Sequence, residues 1–91
     1  MEYEGDEAKR FANLSKHGID FTDVSAVFDS ENVTVEDDRY SYGEQHFVTF
    51  GLLQRRVIAV VHVNCEDCTR IISARKATKY EQRTYFEQLS N

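Results

Sequence analysis

The chain has no proline, no internal repeat and no low-complexity stretch. Nothing in it reads as a linker, and 91 residues (1–91) are expected to form a single domain with one modest core. No apolar run approaches membrane-spanning length, and the first residues, Met1 to Asp6, carry acids. The expectation is a cytoplasmic protein that does not engage a membrane. Only two cysteines are present, as Cys65-Glu-Asp-Cys68. One such pair supplies at most two of the four ligands of a structural zinc. No metal or cofactor is therefore expected, and a reducing cytosol argues for two thiols in a turn, with a redox or metal role as the alternative. The chain also lacks an excess of base. A net charge of -5 makes a poor non-specific nucleic-acid binder.

What is present is unevenly spread. Residues 1–38 hold eleven acids and three bases, a charge of -8, whereas residues 39–91 hold five acids and eight bases, a charge of +3. Between Arg70 and Arg83 there are five bases and one acid, Glu81. A local basic patch of this kind can hold phosphates even on an acidic chain, and the acidic half suits a basic partner. Hydrophobic content of 41%, with six Phe and five Tyr, suffices for a folded core.

Asp6 is a good N-cap, Ala8, Phe11, Ala12 and Ser15 follow at helical spacing, and Gly18 suits the end of the helix. This predicts a helix over about 7–17, and Thr22 can cap a second over about 23–28. Asn32 to Asp37 alternates like an edge strand, and Asp38 to Glu44 is a polar loop. His46–Leu53 and Val57–Val63 are apolar on both faces, with Gln54-Arg55 as a two-residue turn, and Thr69–Arg75 is the last strand. Thr78-Lys-Tyr-Glu81 is a capping box that opens a helix to about Leu89, with Gln82, Tyr85, Phe86 and Leu89 facing inward. The order α-α-β-β-β-β-α predicts an α+β fold. Its sheet is a four-stranded antiparallel meander, with two N-terminal helices and one C-terminal helix.

The turn fixes a trial register in which 47 meets 62, 49 meets 60 and 51 meets 58; on the next strand, 62 meets 71, 60 meets 73 and 58 meets 75. One face then carries Val48, Phe50, Val57, Ala59, Val61, Ile72 and Ala74 and is expected to take the helices. The other carries Thr49, His62, Ser73 and Arg75 among apolar residues and is expected to stay partly open for a ligand. His46 and Arg70 fall together at the sheet's end, on the helix-facing side, so alternation places the two arginines on opposite faces. Arg75 on a sheet strand needs an anion, either an internal carboxylate or a ligand.

Several segments match a known family. They are Asp6-Glu-Ala-Lys9, Asn13-Leu-Ser-Lys16-His17-Gly18-Ile-Asp-Phe21, Val27-Phe28-Asp29, Gly43-Glu44, Phe47 with Gly51, and Arg70-Ile-Ile-Ser-Ala-Arg-Lys-Ala-Thr78 with Glu81 and Tyr85. In these the chain resembles the BrnT toxins of bacterial type II toxin–antitoxin systems. The resemblance implies a RelE-like (microbial ribonuclease-like) fold and metal-independent RNA cleavage. It also implies neutralisation by a BrnA-type ribbon-helix-helix antitoxin, with DNA contacted only through that partner. Where the family usually has an Arg shortly after Gly-Glu, this chain has His46.

RNA cleavage without a metal needs a base for the 2′-hydroxyl, an acid for the leaving 5′-oxygen, and cations for the developing charge. Arg75 is the candidate phosphate clamp, with a structural salt bridge as the plain alternative. His62 is a candidate acid or base, or else a hydrogen-bonded sheet histidine. Glu44 is a candidate base or a partner orienting Arg70, or else caps a turn. His46 and Arg70 either share a phosphate or form a solvated pair. Lys16 and His17 either reach RNA or serve the helix dipole. Ser73 and Lys76 complete the candidate substrate-binding set. A second reading makes the protein a toxin-fold binding module without catalysis, acting through an antitoxin and its DNA complex.

Overall fold

The computed structural model describes residues 2–37 and 45–90. The loop expected at Asp38 to Glu44, and with it the Glu44 assignment, lies outside the described residues. The elements are β1 (Glu2–Glu4), α1 (Glu7–His17), a 3-10 turn (Phe21–Asp23), α2 (Val24–Asp29), β2 (Val33–Asp37), β3 (His46–Leu53), β4 (Arg56–Asn64), β5 (Cys68–Lys76) and α3 (Lys79–Leu89).

Local chemistry sets most boundaries. Asp6 accepts from the Ala8 N–H at 2.7 Å to start α1. Gly18, at φ 71°, ends it in the left-handed conformation that glycine adopts without a Cβ penalty. Asp20, rather than Thr22, starts the next segment: its carboxylate accepts from the Thr22 N–H at 3.1 Å and sets the 3-10 turn before α2. At α3 the Thr78 hydroxyl accepts from the Glu81 N–H and the Glu81 carboxylate from the Thr78 N–H, a complete capping box.

The sheet has five strands in the order β1-β5-β4-β3-β2, so the expected four-stranded antiparallel meander gains a parallel edge strand. β1 pairs with β5 through Glu2↔Cys68, Tyr3↔Thr69 and Glu4↔Arg70. Three residues are too few to show alternation, and a parallel pairing carries no local turn signal. The β3–β4 register is the expected one, with Phe47↔His62, Thr49↔Val60 and Gly51↔Ile58. Gln54 and Arg55 make the turn with both φ positive, 51° and 68°, the handedness that matches strand twist in a two-residue hairpin.

The β4–β5 register departs from expectation halfway. His62 pairs with Ile71, but Val61 pairs with Ser73, so Ile72 is an inserted residue and the strand bulges there. Beyond it Val60 meets Ala74 and Ala59 meets Arg75, one residue away from the uninterrupted register. The bulge turns Ala74 back to the side of Ile71, and both join one core with Ile19, Phe21, Val24, Val27, Ile58 and Val60.

That core lies under the N-terminal helices, so they cover the His62 face and not the all-apolar face expected to take them. Gly51 shows why. A Cβ there would lie 2.5 Å from the Val27 carbonyl oxygen and 2.7 Å from Ser30 Oγ, because α2 packs directly on the β3 backbone. The opposite face carries Val48, Ala59 and Val61 with Phe50 and Ile72. α3 covers one end of it through Tyr85, which packs with Val57 and Ala77 and donates to the Glu31 carbonyl at 2.6 Å. Gln82, Phe86 and Leu89 are exposed, so of the expected inner face of α3 only Tyr85 is buried.

α1 also departs from its apolar pattern. Phe11 is 60% exposed, and the buried residue is Asn13. β1 ends at Glu4, which leaves the outer edge of β5 without a neighbouring strand beyond Arg70. Asn13 fills that place: its amide oxygen accepts from the Ala74 N–H at 3.0 Å, and its NH2 donates to the carbonyls of Ala74 and Ile19, both at 2.9 Å. A forked pair of bonds from Arg10 to Asp20, 2.8 and 3.2 Å, ties α1 to the following turn. The β4–β5 turn is closed by a Cys65–Cys68 disulfide, where two thiols were expected. Its Cα atoms, 5.0 Å apart, lie within bridging range, which spacing alone does not reveal. Among the described residues no helix is long and apolar enough to cross a membrane.

Candidate functional site

Arg75 lies five positions after Arg70, and uninterrupted alternation would put them on opposite faces. The inserted Ile72 cancels that difference. Arg70, Ser73 and Arg75 stand opposite Val63, Val61 and Ala59, alternate residues of β4, so all three belong to the face away from the N-terminal helices. This corrects the grouping of Arg75 with His62. Standing opposite residues four apart on β4, at about 3.3 Å per residue, the two arginines sit roughly 13 Å apart along the strand.

At one end of this face a row runs across the strands: Asp37 is in register with His46, His46 with Val63, and Val63 with Arg70. Asp37 is buried, His46 half-buried and Arg70 exposed. The expected proximity of His46 and Arg70 is thus observed, in register across one intervening strand, and Asp37 is an addition. Its place could have been read from the β2–β3 pairing, but the loop that joins those strands has no diagnostic length.

At the other end Arg75 meets Glu81. Nη1 donates to Oε1 at 2.7 Å and Nη2 to Oε2 at 3.0 Å, a bidentate ion pair with both side chains mostly shielded. Hydrogen bonds from Arg75 are the main reason the Glu81 carboxyl is held below its ordinary pKa, with the Thr78 N–H adding to the effect and burial opposing it. Glu81 therefore joins the start of α3 to the end of β5.

Beside this pair is an open groove of about 600 Å³ lined by Lys16, His17, Arg75, Lys76 and Thr78. A second groove of about 240 Å³ shares Lys16 and His17 and reaches Ser73. The four residues expected to bind substrate, Lys16, His17, Ser73 and Lys76, thus line two connected surfaces where the end of α1 meets β5. Such a strip can follow a phosphate backbone.

His62 is placed elsewhere. It is buried on the face under the N-terminal helices, stacked with Phe47 at a centroid distance of 5.9 Å and met edge-on by Phe28 at 5.2 Å. Nδ1 lies 3.1 Å from Asn64 Oδ1, and Nε2 lies 2.8 Å from Thr49 Oγ1, which lies 2.7 Å from Thr34 Oγ1. With the Asn64 oxygen facing Nδ1, all partners are satisfied when Nδ1 carries the proton and Nε2 accepts from Thr49. Burial lowers the His62 pKa, and the Asn64 bond only partly offsets this.

The sequence profile of the family described as the ribonuclease toxin BrnT of type II toxin–antitoxin systems matches residues 6–81. The chain belongs to that family. No curated protein sequence matches it.

Proposed function

We propose that this BrnT-family protein is a metal-independent endoribonuclease, neutralised by a BrnA-type ribbon-helix-helix antitoxin in the cytoplasm. The observation that carries this reading is the insertion at Ile72. It gathers Arg70, Ser73 and Arg75 on the same face as His46, beside the grooves lined by Lys16, His17 and Lys76. RNA lies along this basic edge, its flanking phosphates met by Lys16, His17 and Lys76. His46 and Glu44 are the proton carriers: one takes the 2′-hydroxyl proton and the other protonates the leaving 5′-oxygen. Arg70, in the row with His46, stabilises the charge that develops on the reacting phosphorus oxygens, and Arg75, its fork oriented by Glu81, clamps a flanking phosphate further along the strand. His62 holds the sheet together rather than handling protons.

The test is to express the chain with and without a candidate antitoxin while following growth and RNA integrity, then to repeat the cleavage with purified protein. Growth arrest and RNA loss relieved by the antitoxin are expected, with cleavage largely lost in Arg75→Ala. Intact RNA at full expression would sink the nuclease reading, and unchanged cleavage in Arg75→Ala would sink the site.

A second reading has one observation in its favour. Arg75 already has an internal carboxylate partner, and His62 is locked in the core. A fold so satisfied can serve as a binding module that acts through the antitoxin and its DNA complex. Stable antitoxin binding without any RNA loss would favour it.

A further inference from the structure

The β4–β5 turn holds a group of residues that the nuclease reading does not use. Cys65 and Cys68 flank a tight turn in which the Cys65 N–H donates to the Cys68 carbonyl at 2.9 Å. This backbone bond closes the turn independently of the bond between the two sulfurs. Glu4 comes from β1, in parallel register with Arg70, two residues beyond Cys68. One carboxylate oxygen of Glu4 and both Sγ atoms all lie within 4.8 Å of one another. Among the described residues this is the one place where three side chains able to hold a metal converge.

We infer that the reduced protein binds one zinc ion through Cys65, Cys68 and Glu4. Bond lengths near 2.3 Å to sulfur and 2.0–2.2 Å to oxygen put tetrahedral ligand atoms roughly 3.5–3.8 Å apart, so after reduction the two sulfurs part from bonding distance while the Glu4 oxygen, within 4.8 Å of both, stays in reach. Two thiolates select a soft or borderline cation over calcium or magnesium, which take oxygen ligands. The three protein ligands leave the fourth position to water. Loading requires reduction first. A small dithiol supplies two electrons and two protons, the Cys65–Cys68 bond breaks to two thiols, and the reductant becomes its own disulfide. Zinc then displaces the two thiol protons. The ion fastens the three-residue β1 to the turn, so reduction exchanges a link within the turn for one that spans two elements. This site is separate from RNA cleavage, which uses other residues.

The test uses tag-free protein, reduced with a dithiol and freed of metal, titrated with zinc by calorimetry and with cobalt by absorbance. One equivalent of zinc and a thiolate-to-cobalt charge-transfer band are expected. The oxidised protein should bind neither. Cys65→Ser and Cys68→Ser should each abolish the band while circular dichroism stays native, and Glu4→Gln should weaken zinc at least tenfold. Absence of stoichiometric binding to the reduced wild type would overturn the proposal. So would binding that either serine variant retains, or that Glu4→Gln leaves unchanged.

Discussion

Under the N-terminal helices His62 has both ring nitrogens engaged, with Thr49 on one side and Asn64 on the other. Across the same sheet His46 stands half-buried in a row with Asp37 and Arg70. The two histidines lie on adjacent strands, yet the pleat gives them opposite surroundings. The first face is closed by aliphatic packing, and its polar groups satisfy one another, which is how buried polar atoms avoid a desolvation penalty. The second carries two arginines, a hydroxyl and an imidazole beside an open basic groove. A residue type suited to chemistry therefore says little until the face it occupies is known.

The contrast can be broken most directly at His46. His46→Ala should reduce RNA cleavage by roughly 100- to 10,000-fold and leave the melting temperature nearly unchanged. A stability loss with intact cleavage would place it with His62 instead. Next in size is Asn13→Ala, which leaves the buried Ala74 N–H and two carbonyls without their partner. A loss of about 2–4 kcal/mol is expected in urea denaturation, and a loss below 1 kcal/mol would mean that water replaces the amide. Glu81→Gln removes the charge from the Arg75 pair and weakens the cap of α3. Unfolding free energy should fall by about 1 kcal/mol, and the pH at which acid begins to destabilise the protein should shift. The lowered Glu81 carboxyl contributes stability above its unfolded value near 4.5, and this is lost as pH falls through the folded value. The smallest effect is the titration of His62. The folded pKa of His62 lies below its unfolded value near 6.5, so the unfolded chain takes up the proton first. The His62 contribution to stability should be level above that pH and decline gently below it, a slope absent from His62→Gln.

Much of the frame was legible from local rules. The caps at Asp6 and Thr78 and the left-handed Gly18 mark helix ends by short-range hydrogen bonding. The Gln54-Arg55 turn set the β3–β4 register over the whole ladder, because a two-residue connection leaves little choice. The rest depends on contacts distant in sequence. β1 has three residues and pairs with a strand more than sixty positions away. The insertion at Ile72 has no composition signal, yet it reverses the side on which Arg75 lies. Alternation distinguishes two faces without saying which receives a helix; Gly51 held that information, as the spot where α2 meets bare backbone. Apolar spacing located α1 but not its buried side, because that helix docks on a strand edge, where an amide is worth more than a methyl. Lys16, His17, Ser73 and Lys76, singled out by their chemistry and by resemblance, line neighbouring grooves, whereas the row through Asp37 required the pairing of β2 with β3.

The Asn13 amide has a consequence for assembly. By answering the Ala74 N–H and carbonyl it plugs the one stretch of β5 to which another chain could add as a strand. At the opposite margin, β2 pairs only with β3 among the described residues, and Val35 is exposed on it. The sheet is therefore polarised, with one sealed margin and one that still offers backbone groups. Any extended segment that joins it by strand pairing is directed to β2, leaving the basic grooves at the far margin uncovered.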